Sequence, residues 1–168
     1  TSHEEFRKAE SSAKEKNKKL LQNNGTKSVE NFHRELGKIV WNYCGMSRNK
    51  SSLVSAIEDI KDLRKTFWKD VKVLGDDKRY NPELDKAGRV ADFFELGELM
   101  MRDALERKES CGGHFREEYQ TEEGEALRND DDYTFASTWE FKGVDNTPIL
   151  HKEDLGFETV KPTQRSYK

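Results

Sequence analysis

Residues 81–116 carry the longest uninterrupted helical pattern in the chain, and a helix of that length limits what can be built around it. Asn81 is a good N-cap, because its side-chain oxygen can accept from a free N–H of the first turn. Pro82 follows at the first helical position, where its missing donor costs nothing. Glu83 and Asp85 suit the positive end of the helix dipole. Apolar residues recur with helical spacing at Leu84, Ala87, Val90, Ala91, Phe94, Met101, Ala104 and Leu105. Phe93, Leu96, Leu99 and Met100 widen the stripe, so the middle of the helix is expected to touch partners on more than one side. Gly88 and Gly97 each cost about 1 kcal/mol relative to Ala in a helix interior. The pattern predicts close approach of another backbone at these two positions. Arg107 and Lys108 suit the negative end, and Gly112 and Gly113 are expected to terminate the helix.

Three further helical patterns precede it. The first runs from about Glu4 to Asn23 on a sparse stripe of Phe6, Ala9, Ala13, Leu20 and Leu21, and alone it is a marginal helix. The second is capped by Ser28 and carries Val29, Phe32, Leu36, Ile39, Val40 and Tyr43 before Gly45 breaks it. The third starts near Asn49 or Ser51 and keeps three-and-four spacing from Leu53 through Phe67 to Val71. Short connections make neighbouring helices antiparallel. After Gly113 the chain turns acidic. Residues 133–141 then alternate like a strand, and residues 148–151 can pair back on it. The expected fold is mainly α: an up-down three- to four-helix bundle with a C-terminal extended or β-hairpin appendage. The expected division is 1–116 for the bundle, ending in the Glu109–Arg116 turn, and 117–168 for an acidic loop, short β-ribbon and extended tail packed on the bundle or on a missing neighbouring domain. Pro162, Arg165 and Tyr167 in that tail read as anchors on another surface.

Of 168 residues, 33% are hydrophobic and 38% charged, which suits a thin helical core with solvated faces. Residues 1–80 carry +6 and residues 81–168 carry −9, which together give the net −3. The basic half is not a nucleic-acid footprint, because its lysines are interleaved with glutamates along helices. Two widely spaced cysteines, Cys44 and Cys111, make no disulfide framework, so a reducing compartment is the default. No apolar run approaches the ~20 residues that span a bilayer, so direct membrane insertion is not expected. The polar N-terminus lacks the pattern of a secretory signal. It opens without Met straight into a helical pattern, which reads as a piece of a longer polypeptide.

The sequence contains no glycine-rich phosphate loop, nucleophile elbow or H-E-x-x-H. Cys111 and His114 have the spacing of half a metal site, and a closed zinc site needs about four ligands. The same pair lacks the third, orienting group of a nucleophile–base system. The acidic runs lack the glycine-spaced pattern of calcium loops. Trp41, Trp68, Phe93 and Phe94 are expected to pack rather than stack on a ligand. No residue is therefore assigned a catalytic, cofactor-binding or metal-ligating role. What stands out is the cluster Arg107-Lys108-Glu109-Ser110-Cys111-Gly112-Gly113-His114-Phe115-Arg116 at a helix C-terminus. A charged cap is one reading. The other is a polar joint in which Glu109, Ser110, His114 and Arg116 bond to a neighbouring domain.

That cluster resembles the R-K-E-S-R-G-A-H-x-R signature of the flavoprotein subunits of succinate dehydrogenase and fumarate reductase. Asp103-Ala104-Leu105 fits the helix before it. Trp41-Asn42-Tyr43-Cys44-Gly45-Met46-Ser47-Arg48 is similar to the family's helix break ending in G-x-x-R. Lys161-Pro162-Thr163-Gln164-Arg165-Ser166-Tyr167 is similar to its P-x-x-R-x-Y tail. The motifs stand in the family's order from about Phe32 to Tyr167. Cys111 replaces the usual Arg and Gly113 the usual Ala.

The resemblance implies that this chain is the C-terminal helical domain of such a subunit. In the family, hydride moves between succinate or fumarate and the flavin N5, and electrons pass on to an iron–sulfur subunit. The residues that bind FAD and substrate lie upstream and match nothing here, so FAD belongs to the parent protein and the fragment alone is expected to be inactive. Implied partners are the upstream FAD-binding and capping domains, the iron–sulfur subunit and the membrane-anchor subunit. The implied location is cytoplasmic, peripheral on the inner face of the cytoplasmic membrane. L-aspartate oxidases carry a similar E-S-R-G-x-H turn and are one alternative. A freestanding helical interaction module without redox function is the other.

Overall fold

The computed structural model describes residues 2–160 and 163. The tail anchors expected at Pro162, Arg165 and Tyr167 lie outside the described residues. The described chain is mainly α, 53% helical with five helices and a small antiparallel strand pair near its C-terminal end. The order is α1 (Glu4–Gln22), β1 (Lys27–Ser28), α2 (Val29–Cys44), β2 (Ser47–Arg48), α3 (Lys50–Asp70), β3 (Val71–Lys72), α4 (Pro82–Glu106), β4 (Phe115–Arg116), α5 (Asp130–Tyr133), β5 (Phe135–Glu140) and β6 (Ile149–Asp154). The chain divides into two compact units, residues 1–41 with 58–98 and residues 42–57 with 99–168.

The first unit is held by an apolar core. The Phe67 ring meets Phe32 edge-on at 5.3 Å and Phe94 at 5.4 Å, and all three are fully buried with Leu20, Val29 and Val90. Helix direction follows from the pairs. Phe32, early in α2, meets Phe67, late in α3. Arg64 and Phe67 in α3 meet Glu98 and Phe94 in α4, in reversed order. The end of α1 reaches the end of α3 through Asn23 Nδ2 to the Trp68 carbonyl, 3.3 Å. The helices therefore alternate up and down, as short connections require. Buried Arg64 is neutralised by Glu95 and Glu98 at 3.1 and 2.9 Å.

The caps expected from the sequence are formed. Asn81 Oδ1 accepts from the N–H groups of Glu83 and Leu84 at 3.0 and 3.1 Å. Ser28 Oγ accepts from Asn31 N, and Asn49 Oδ1 from Ser52 N.

Three expectations are corrected. Close backbone approach does not occur at Gly88, where an added Cβ would have nothing within 4 Å, or at Gly97, which meets only the side chains of Leu36, Val40 and Ile60. It occurs at Gly25, where a Cβ would fall 1.9 Å from the Asp70 carbonyl oxygen. There Thr26 N–H and Oγ1–H donate to the Asp70 carboxylate as β1 pairs with β3. Trp41 and Phe93 do not pack in the core. Trp41 lies outside the buried Val29–Phe32–Leu36 row, and Phe93 lies outside the row of Val90 and Phe94. Finally, α4 ends at Glu106, short of the glycines.

The second unit gathers the last turn of α2, the first turns of α3, the end of α4 and everything after it. Parallel pairs Ser47↔Phe115 and Arg48↔Arg116 join β2 to β4. The expected ribbon is present and longer in its second strand, with β5 and β6 antiparallel from Phe135↔Asp154 to Glu140↔Ile149. A two-stranded ribbon is marginal alone. Trp139 Nε1–H anchors this one on Asp103 Oδ1 of α4 at 2.7 Å. No helix among the described residues is long and apolar enough to cross a membrane.

Candidate functional site

The last carbonyls of an α-helix have no partner within the helix. In α4 they are met by a side chain from twelve residues downstream. Arg116 Nη1 donates to the carbonyls of Ala104, Leu105 and Arg107 at 2.8, 3.2 and 3.4 Å, and its Nε to Glu118 Oε2 at 3.0 Å. The guanidinium lies 5.5 Å from the Tyr119 ring centroid, and the residue is 2% exposed. A rigid planar fork with five donors suits this task, which an ammonium could not match. This is why the helix stops at Glu106: its end is closed by Arg116, not by glycine.

Between helix and guanidinium the chain makes a compact loop. Ser110, fully buried, accepts from Arg116 N–H at 2.8 Å and donates to Arg116 C=O, while its own N–H donates to the Leu127 carbonyl. Glu109, also buried, accepts from Asn129 N–H at 2.9 Å and sits 3.6 Å from Arg107. Cys111 and His114 exchange both backbone hydrogen bonds, 2.8 and 3.0 Å, to close a two-residue hairpin. Gly112 takes φ +58° at the first central position, where a type II′ turn favours glycine.

His114 ties this loop to the G-x-x-R segment. Its Nδ1 lies 2.9 Å from Arg48 Nη1 and its Nε2 3.0 Å from the Arg107 carbonyl. Arginine only donates, so Nδ1 accepts and Nε2 carries the proton, giving a neutral ring. Burial pushes the His114 pKa down. The Arg107 carbonyl opposes this, and the charges of Arg48, Arg116 and Arg107 add to it. Arg48 also donates to the Gly45 carbonyl at 2.7 Å. On the far side of β4, Glu117 accepts from Ser47 Oγ and Asn49 Nδ2, at 2.7 and 3.0 Å. Glu118 accepts from Lys50 N–H at the start of α3. Burial raises the Glu118 pKa, but hydrogen bonds from Lys50 N–H and Arg116 outweigh it and hold the carboxyl below the usual range.

The two motifs singled out in the sequence, 45–48 and 107–116, are thus stitched into one clasp. Glu109, Ser110 and Arg116 point inward, and His114 is half-buried beside them. Sequence reasoning missed that Arg48, Glu117 and Glu118 belong to the same cluster. The available signal was the arginine of G-x-x-R, an isolated charge just after a helix break. Both ring nitrogens of His114 are engaged away from Cys111, so these two are not a nucleophile–base pair. Cys111 lines a cavity of about 380 Å³ that borders the cluster at Arg107 and Glu109 and is walled further by Arg128, Tyr133 and Phe135. Among the described residues no buried side-chain nitrogen or oxygen lacks a hydrogen-bond partner. The cluster is a closed frame, fitted to hold backbone in place.

Comparison with known proteins places this geometry. Residues 33–167 match the family model described as fumarate reductase flavoprotein C-term. The fumarate reductase flavoprotein subunit of Escherichia coli (strain K12) is 26% identical over 150 residues, 89% of this chain and 24% of the relative. The succinate dehydrogenase flavoprotein subunit of Bacillus subtilis (strain 168) is 21% identical over 148 residues, covering 88% of this chain and 24% of that protein. A solved structure of E. coli quinol fumarate reductase shares the fold with a TM-score of 0.78 at 22% identity, over 98% of this chain and 27% of that one. The chain thus spans about a quarter of the length of the relatives it matches.

Proposed function

The chain belongs to the family of C-terminal domains of fumarate reductase and succinate dehydrogenase flavoprotein subunits, and from that premise we propose that it is the buttress of an FAD-dependent enzyme interconverting succinate and fumarate. In this reading the flavin and the reacting groups belong to the upstream part of the parent polypeptide, where the flavin supplies the hydride chemistry. The family match over residues 33–167 carries the proposal.

Glu109, Ser110, His114 and Arg116 form the joint toward the flavin domain. The buried three set the frame, and the exposed Gly112–Gly113 tip with half-buried His114 is what the neighbour meets. The parent works with FAD-binding and capping domains in the same polypeptide, an iron–sulfur subunit that takes the electrons, and a membrane anchor. These place it peripherally on the inner face of the cytoplasmic membrane. Residues 117–160 pack beside the joint, on the bundle or on the flavin domain.

The experiment is to purify the full-length parent protein and the 168-residue chain and assay both for bound FAD and for succinate–fumarate turnover. FAD and turnover are expected in the first and neither in the second. A full-length protein without flavin, or flavin and turnover in the 168 residues alone, overturns the reading.

A further inference from the structure

The cavity beside the clasp, about 380 Å³, is bordered by Arg107, Glu109 and Cys111 and walled by Tyr133, Leu155 and Phe157. All of them belong to the second unit. The volume is in the range of small-molecule sites, which combine an apolar wall with a few fixed polar groups. Leu155 and Phe157 are 47% and 55% exposed, so the described chain leaves much of this wall uncovered. Cys111, where the family signature has arginine, is the small residue at the border.

Two pairs of opposite charge line the cavity, and they differ. Arg128 is fully occupied: its Nε and Nη2 lie 2.9 and 2.6 Å from Asp130 Oδ1, and its Nη1 donates to the Thr163 carbonyl at 3.0 Å. Arg107 is held over the rings of Tyr133 and Phe135, with centroids 5.9 and 5.8 Å away, and its Nη2 donates to the carbonyls of both residues. Glu109 is buried, and its Oε2 accepts from Asn129 N–H at 2.9 Å. What is left over is Arg107 Nη1 facing Glu109 Oε1 at 3.6 Å, too far for a hydrogen bond. Among the described residues neither atom has a hydrogen-bond partner, and neither is sealed from solvent. One free donor and one free acceptor therefore stand side by side on a frame that fixes both.

We propose that this cavity binds a neutral ligand carrying a primary carboxamide on a flat apolar body. The carboxamide oxygen accepts from Arg107 Nη1, and the carboxamide nitrogen donates to Glu109 Oε1. Amide bond lengths put that oxygen and nitrogen about 2.2 Å apart, so two hydrogen bonds of ordinary length reach both atoms with little splay. A carboxylate lacks the donor and buries its charge beside Glu109. An amidinium lacks the acceptor and buries its charge beside Arg107. A single water can bridge the same two atoms, but it leaves the apolar wall wet, whereas the body of the ligand covers Leu155 and Phe157. The site does not depend on the function proposed above.

The test follows N-ethylmaleimide labelling of Cys111 in the full-length parent protein by peptide mass spectrometry, with benzamide, benzoate and benzamidine as probes. Cys111 is half-buried at the cavity, and buried Cys44, which does not line it, is the internal reference. Benzamide is expected to slow labelling of Cys111 at least about fivefold at saturation and to leave Cys44 unchanged, since protection follows occupancy. Benzoate and benzamidine are expected to need at least about tenfold higher concentrations for the same protection. Equal protection by all three overturns the inference, because the apolar wall alone then holds the ring. Protection by a charged probe at a lower concentration than benzamide overturns it as well. So does an absence of protection by benzamide, or slowing that Cys44 shares. A Cys111 that does not label at all shows the cavity closed in the parent and also overturns it. Flavin content does not enter the readout, so failure here leaves the proposed function standing.

Discussion

The two units of this chain are held together by different physics. In the first, Phe32, Phe67 and Phe94 interlock with fully buried aliphatic neighbours, and the polar groups mostly cap helix ends or sit at the surface. In the second, an apolar layer of Leu53, Ala56 and Met101 is joined by a buried polar cluster: Arg116, Ser110 and Glu109, with half-buried His114, close a helix end, a hairpin and a parallel strand pair. Apolar cores tolerate approximate fits, because burial is roughly proportional to area and has no direction. A buried polar cluster works only if every donor finds its acceptor. The second unit should therefore be the less forgiving to substitution at its centre and the more sensitive to pH.

The largest effect tests the apolar half. Phe67→Ala removes a ring that touches two others and should cost about 3–5 kcal/mol of unfolding free energy in denaturant titration. A loss below about 1 kcal/mol would mean that the aromatic cluster is not the core. Next comes Arg116→Ala, which removes the donor to the Ala104 and Leu105 carbonyls at the end of α4 and should cost about 2–3 kcal/mol. Arg116→Lys should recover little of this, since a point charge cannot reproduce the fork. Full recovery by lysine would show that charge, not geometry, matters there. Asn81→Ala removes a helix cap far from either centre and should cost about 1 kcal/mol. A larger loss would give the connection before α4 a weight the comparison denies it.

The smallest effect is the pH response. Folding lowers the His114 pKa from its ordinary value of 6.5, so between the two values the folded chain binds fewer protons than the unfolded one. Stability from this group is present above the unfolded pKa and is lost as pH falls from there through the lower folded value. Melting temperature should fall more steeply from pH 7.5 to 5 in the unsubstituted chain than in His114→Gln. Parallel curves would remove His114 from the account.

How much of this could be read beforehand follows from the same contrast. The rows Val29–Phe32–Leu36 and Val90–Phe94 announce a helical bundle because apolar periodicity is a local signal. The caps Ser28 and Asn81 were legible for the same reason. The clasp was legible only in its parts. Nothing in 45–48 says that Arg48 reaches a histidine sixty-six residues later, since that partnership is a fact of tertiary geometry. The end of α4 was misplaced because glycines are the commoner terminator and a distant arginine leaves no local mark. Backbone contact was expected at Gly88 and Gly97 and found at Gly25, since glycine alone does not say what approaches it. Trp41 was expected to pack because tryptophan usually does; its exposure became visible only once α2 had chosen its buried face.

The most direct measurement is the FAD content per chain of the full-length flavoprotein carrying Arg116→Ala. It is set beside a first-unit variant such as Phe94→Leu that lowers the melting temperature by the same amount. If the clasp frames a joint to the flavin domain, the Arg116 variant loses flavin while the matched one keeps it. Equal flavin content in the two would show that the clasp does no more than close the end of its own helix.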